Sequence, residues 1–188
     1  MTKISHIAIV ASGVYVGTVP EGDAKYLQVN DFNIEKDSSF ATIELDDYLQ
    51  RHLLEEGDIL FAAKGDYNFS VIYHAQMGAS VASLSFLVIR IKDKTVVDPE
   101  YLCWFLNKKD TLYKLKNHAA GTSIQSIRKS VVEDCEIDIP LISVQKKVVE
   151  IANLQQRERL LYSQIAEQRE LLTQKQIMEI IKIKDNEG

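Results

Sequence analysis

SVQKKVVEIANLQQRERLLYSQIAEQRELLTQKQIMEIIKI, residues 143–183, contains neither glycine nor proline. Gln, Glu, Lys, Arg, Leu and Ile dominate it, all compatible with an uninterrupted helix, and Ser143 suits its N-cap. At ~1.5 Å per residue such a helix runs about 60 Å, too long to pack wholly against a domain of this size. Ile151, Leu154, Leu161, Ile165 and Leu172 are spaced 3, 7, 4 and 7 apart, a heptad-compatible stripe, with Glu158 and Gln168 as polar interruptions in the seam. Leu160, Leu171, Met178 and Ile181 widen it. A stripe of this kind also suits a helix lying on its own domain. A partner helix is the stronger expectation, because a single helix would leave much of that apolar surface wet.

Working back from this helix, the chain divides at Pro140. Before it, TKISHIAIVA, KYLQVNDF and SFATIEL carry β-branched and aromatic residues between Gly, Asp and Asn punctuation, which predicts strands. EEGDILFAAKGDYNFSVIYH reads as turn, strand, turn, strand, with Gly57-Asp58 and Gly65-Asp66 opening the turns. The apolar run from Ser80 to Ile89 predicts a buried strand, and SLSFLVIRI a central one. DPEYLCWFLNKKDTLYKLKNHA predicts helix, with Asp98 as N-cap, Pro99 at the first position and Asn107 as a break. CEIDIPLI is an alternating segment ending at Pro140. The expected class is α+β: a strand-rich domain over residues 1–140 with short helices, one long coiled-coil-type helix over 141–184, and a tail at 185–188.

Composition narrows the class. The chain has 188 residues, 46% hydrophobic and 26% charged, which is globular rather than disordered. No apolar run approaches the ~20 residues of a membrane span, and MTKISHIAIV lacks the pattern of a signal peptide. Cys103 and Cys135 make neither a disulfide framework nor a metal knuckle, so a reducing cytoplasm is expected. The net charge of −5 conceals a reversal: between Lys108 and Lys129, six cations (Lys108, Lys109, Lys114, Lys116, Arg128, Lys129) face only Asp110. Such a patch can bind phosphate on an acidic body, because fields are screened within about 8 Å at physiological salt. It also suits a solvated helix face.

Catalytic constellations are missing from the sequence. There is no G-x-G-x-x-G or Walker-type loop, and His6, His52, His74 and His118 lie far apart. Ser126-Ile127-Arg128-Lys129 matches S-x-x-K with nothing else of that active site beside it. Asp58 followed by Ala62-Ala63-Lys64 resembles a nuclease pattern, but alanine stands where its second acid belongs. Neither a metal nor a cofactor is expected. What remains are polar turns: Asn30-Asp31-Phe32-Asn33, Lys64-Gly65-Asp66-Tyr67-Asn68, and Thr122-Ser123-Ile124-Gln125 with Arg128 and Lys129. Arg and Lys suit guanine edges, Asn and Gln suit adenine, and hydroxyls hold phosphates. Ordinary connections are polar too.

Three segments in order carry a family resemblance: EEGDILFAAKGDYN, then VIRIKDKTVVDPEYLCWFLN, then AAGTSIQSIRKSVVEDCEIDIPLISVQKKVVEIANL before the long helix. Together they resemble one half of the specificity (S) subunit of a type I restriction–modification system, over about Tyr26 to Ile181. The likeness is closest at Gly57-Asp58-Ile59-Leu60, at Gly121, and at Ile139-Pro140-Leu141 with Gln145. Such subunits usually carry two target recognition domains, each followed by a helix, the helices packing antiparallel as a ruler between two half-sites. The resemblance implies a non-catalytic DNA-reading module that docks a methyltransferase subunit, with a restriction subunit as a further partner. S-adenosylmethionine and ATP would belong to those partners.

Two departures stand out: one recognition domain with one helix, and a compact opening near GTVPEG. The first implies a half-subunit that pairs with itself, giving a homodimer on an inverted-repeat site. The expected DNA contacts are Thr122, Ser123, Arg128 and Lys129 to phosphate, Gln125 to a base edge or a water, and Lys64, Tyr67 and Asn68 as a second set. The expected partner face of the helix is Ile151, Leu154, Leu161, Ile165 and Leu172. A protein-interaction module that uses the helix without reading DNA stays open as the alternative. The two differ over whether the basic turn is exposed on the same side as the Lys64 turn.

Overall fold

The computed structural model describes residues 1–32, 40–65, 67–117 and 126–185. It divides into two compact units, residues 1–146 and 147–188. In the first unit, chain order is β1 (Thr2–Lys3), α1 (Ile4–Ile7), β2 (Ala8–Ser12), β3 (Ala24–Leu27), β4 (Ala41–Ile43), α2 (Asp47–Gln50) and β5 (Ile59–Ala62). Then follow β6 (Ser70–Ile72), β7 (Ser80–Ala82), β8 (Phe86–Ile91), α3 (Pro99–Leu106), α4 (Lys109–Asn117), α5 (Lys129–Glu133) and β9 (Glu136–Ile137). The last element, α6 (Ile142–Asp185), is the long helix. Among the described residues no helix is long and apolar enough to cross a membrane.

The main sheet has the order β2-β8-β5-β6 and is antiparallel throughout. Its central strands are the ones with nearly continuous apolar sequence. Ile59, Leu60, Phe61 and Ala62 of β5 are all fully buried, as are Phe86 and Ile89 of β8. Burying each of the larger of these side chains contributes about 1.5–3 kcal/mol. A second sheet, β4-β3-β7, is mixed: β3 runs antiparallel to β4 and parallel to β7. The shortest pairing joins β1 to β9.

Two expected strands are divided. The Ser80–Ile89 run splits into β7 and β8, which belong to different sheets, with a turn at Ser83-Leu84-Ser85. Its serines mark the turn, where the amide of Phe86 bonds the Ser83 carbonyl at 2.9 Å. TKISHIAIVA is broken by the single helical turn α1, which redirects the chain from β9 to β8. The expected helix start holds: the Asp98 carboxylate accepts from Glu100 N–H at 2.8 Å, with Pro99 at the first position. The long helix begins at Ile142, and the Leu141 carbonyl, not the Ser143 side chain, receives the amides of Val144 and Gln145.

The residues of closest family resemblance hold the frame together. Gly57 has φ +82°, a left-handed conformation that favours glycine, and its amide bonds the Tyr73 carbonyl at 3.0 Å. Asp58 is 1% exposed. Its carboxylate accepts from Arg90 Nε at 2.9 Å and Nη2 at 2.6 Å, and from the Glu55 amide at 2.8 Å. That bonded carboxylate raises the Arg90 pKa further. Gln145 is fully buried. Its Oε1 accepts from Asp98 N–H at 2.9 Å, while Nε2 donates to the Val96 and Pro140 carbonyls at 2.8 and 2.7 Å. Asn107 caps α3 and clamps Ser70 of β6, accepting its amide at 2.8 Å and donating to its carbonyl at 2.9 Å. It stands in for a neighbouring strand along that edge.

Candidate nucleic-acid interface

Antiparallel register decides where the loops gather. Ser12 pairs with Leu87 and Ala62 with Phe86, so the ends of β2 and β5 lie beside the start of β8. The segments leaving these strands remain joined. Gly13 N–H bonds the Phe86 carbonyl at 3.0 Å, Val14 N–H the Ala82 carbonyl at 2.9 Å, and Ala63 N–H the Ser85 carbonyl at 2.9 Å. Ser83 N–H reaches the carbonyl of Leu27, the last residue of β3, at 2.9 Å. Gly13 is needed here: a Cβ on it would stand 2.1 Å from the Ser83 carbonyl oxygen. Beneath, Phe86 packs edge-on against Phe32 and Phe69, with centroids 5.7 and 6.4 Å apart. This aromatic floor fixes the loops that follow β3 and precede β6.

The decisive contact is between two segments far apart in sequence. Ile127 N–H donates to the Ala63 carbonyl at 2.9 Å, and Lys64 forms an antiparallel bridge with Ser126. Ile127 is buried and anchors the segment, while Lys64, Arg128 and Lys129 are exposed. The Lys64 turn and the Arg128 segment therefore lie side by side at one end of the sheet. Arg128 has extended backbone (φ −72°, ψ 150°) before α5, and its side chain makes no capping bond. Lys129, itself exposed, lies 3.5 Å from the half-buried Glu133 one helical turn on, a single surface pair that costs about 1 kcal/mol or less to open. Thr122, Ser123 and Gln125 lie outside the described residues, as do His118, Gly121, Asp66 and Asn33.

The other expected residues differ in freedom. Tyr67 is 84% exposed beside Gly65, whose φ is +105°. Asn68 is committed locally, donating Nδ2–H to the Ala62 carbonyl at 2.8 Å. That bond shapes the turn and removes a donor from any ligand. Asp31 likewise accepts the Gln28 amide at 2.7 Å, leaving Asn30 exposed at the same end. The sequence gives no sign of a neighbouring cleft of about 460 Å³, lined among others by Tyr15, Thr18, Gln28, Asn30, Ser83 and Ser85. Tyr15 is 83% exposed. An exposed aromatic ring, amides and hydroxyls beside lysine and arginine supply both base-edge and phosphate donors. Of the remaining lysines, Lys108 sits over the Trp104 ring, 5.3 Å from its centroid.

A family profile described as Type I restriction modification DNA specificity domain matches residues 18–168. The chain belongs to that family. It is thus a specificity domain rather than a catalytic one. The fold is similar to that of the S subunit from M. genitalium, at 18% identity and TM-score 0.58, covering 81% of this chain and 37% of that one. It is also similar to the HsdS subunit from Thermoanaerobacter tengcongensis, at 14% identity and TM-score 0.62, covering 84% and 37%. A third similar chain comes from a structure described as the basis of complex assembly and conformational transition of the type I R-M system (14% identity, TM-score 0.56, 83% and 37% covered). This specificity domain therefore spans about a third of each chain it resembles. No curated protein sequence matches it.

In the second unit, the five residues expected to face a partner helix, Ile151, Leu154, Leu161, Ile165 and Leu172, are all exposed on α6.

Proposed function

We propose that this chain is the DNA-reading component of a type I restriction–modification complex, binding one half of a split duplex site and docking a methyltransferase subunit. The observation that carries this reading is the Lys64–Ser126 bridge, which sets two exposed basic segments together at one end of a rigid sheet. A specificity domain needs such a surface: cations and hydroxyls hold the backbone, while neighbouring amides and aromatic groups meet base edges. Lys64, Arg128 and Lys129 take phosphates, Thr122 and Ser123 support them, and Gln125 and Tyr67 reach toward the groove. Asn68 contributes by holding the turn. The acidic remainder of the chain is compatible, since methyltransferase subunits would supply much of the positive field around the duplex.

The exposed stripe of α6 supports pairing with a second copy, which would bring two identical recognition domains to an inverted-repeat site. Methyl transfer from S-adenosylmethionine would belong to the methyltransferase subunit, and ATP-driven cleavage to a restriction subunit. The test is selection from a randomised duplex pool by this chain bound to its methyltransferase subunit. Enrichment of a split motif with two related halves is expected. A complex that enriches no motif would overturn the proposal.

A further inference from the structure

The cleft beside Tyr15 has walls that are tied in place by the protein's own hydrogen bonds. The segment 13–19 is held at one end by the Val14 amide, which donates to the Ala82 carbonyl at 2.9 Å. At its other end the Val19 amide donates to the Thr42 carbonyl at 2.8 Å, and the Thr42 hydroxyl to the Val19 carbonyl at 2.7 Å. Tyr26 is buried in the wall, its hydroxyl donating to the Val14 carbonyl at 2.8 Å. Gln28 sits in a turn closed from both sides by Asp31. Its backbone amide donates to the Asp31 carboxylate at 2.7 Å, and its carbonyl accepts the Asp31 amide at 3.1 Å. The Gln28 side chain is half-buried, yet among the described residues neither its amide group nor that of Asn30 has a hydrogen-bond partner. Ser83 adds a buried hydroxyl that is likewise unpaired among them.

Chemistry separates this cleft from the basic segments beside it. None of the described residues lining it is charged, so it adds nothing to the neutralisation of phosphates. A primary amide presents a donor and an acceptor in one plane, the complement of the N6 and N7 edge of adenine in the major groove. Leu84, which is exposed, and half-buried Val16 offer apolar contact to the methyl group of the paired thymine. The cations are close by: Ser85, in the cleft wall, accepts through its carbonyl the amide of Ala63, the residue before Lys64. We propose that the cleft reads an A·T pair of the half-site, with Gln28 bonded to adenine as the specificity-determining residue. This rests on the DNA-reading function proposed above and divides its labour: the cations hold the backbone, and the cleft chooses the base.

The test uses the full chain bound to its methyltransferase subunit, with the motif first selected by the wild type. Duplexes of that motif then carry 7-deazaadenine, which lacks the N7 acceptor, at one adenine position at a time. At one position the wild type should lose about fivefold or more in affinity, the lower end of what a bidentate amide–adenine pair supports. Gln28→Ala should be indifferent to the analogue at that position and keep the wild-type salt slope, because no cation is removed. Gln28→Met, of similar length and also without the amide, should behave alike. Gln28→Glu keeps the shape but only accepts, so selection with it should move that position from adenine to cytosine. A motif without adenine, or a wild type indifferent to the analogue everywhere, would refute the assignment while sparing DNA reading. So would Gln28 variants as sensitive to the analogue as the wild type. A wild-type complex that selects no motif would remove both.

Discussion

Replacing Arg128 and Lys129 together with alanine isolates the electrostatic contribution of the basic segment. Each phosphate neutralised releases condensed counterions and contributes about 0.9 to the slope of log affinity against log salt, so two contribute about 1.8. Between 50 and 200 mM salt the wild type should therefore lose about twelvefold more affinity than the double variant. The structure allows both cations to reach a ligand. Arg128 makes no capping bond, and Lys129 is paired at 3.5 Å with the half-buried Glu133, a surface contact that is cheap to open. Truncation beyond Cβ should spare the fold, because the segment is anchored by buried Ile127 and its bond to Ala63. Fluorescence anisotropy of a labelled duplex carrying the selected motif, with the methyltransferase subunit present, measures the slope. Adding Lys64→Ala should remove about 0.9 more. An unchanged slope in a variant with native circular dichroism would refute the assignment of these side chains to phosphates.

Gln145→Met keeps the volume but strips three hydrogen bonds, leaving Asp98 N–H and the Val96 and Pro140 carbonyls without that partner. A loss of about 3 kcal/mol, or about 6–12 °C in Tm for a chain of this size, should appear on thermal denaturation, and a loss below about 1 kcal/mol would contradict the clamp. Arg90→Met strands the buried Asp58 charge and should cost about 3 kcal/mol in denaturant titration, most of it recovered by adding Asp58→Leu, which removes the stranded charge. Burial pushes the Cys103 thiol up to about 12, so it should resist a thiol reagent at pH 8 in the native state and react only as fast as the chain opens. An unfolded thiol ionises near 8.5, so this group's contribution to stability is intact below that pH and falls between about 8.5 and 12. Rapid native-state labelling of Cys103 would show that the site opens locally.

The elements most legible in the sequence were those set by local chemistry. The glycine- and proline-free stretch gives α6, Asp98-Pro99 starts α3, and the continuous apolar run gives central β8. Sequence misled where tertiary pairing overrode a local pattern, as in Ser80–Ile89, an apolar run shared between two sheets. The candidate interface was legible as residue types but not as a place. Nothing local to Lys64 or Ser126 announces their bridge, because it depends on Ile127 docking at the end of β5. Asn68 and Gln145 show the opposite difficulty: each is a polar residue of a kind that suits recognition, and each spends its amide on backbone groups. Tyr15 escaped notice because only the fold brings it beside Gln28 and Asn30.

DNA specificity is tested most directly by mapping methylated bases genome-wide in a methylation-free host that expresses this chain with its methyltransferase subunit. A split inverted-repeat motif, methylated only when the chain is present, is the predicted result. Methylation without sequence preference, from a complex that still assembles, would contradict it and leave α6 as a docking helix on a domain that does not read DNA.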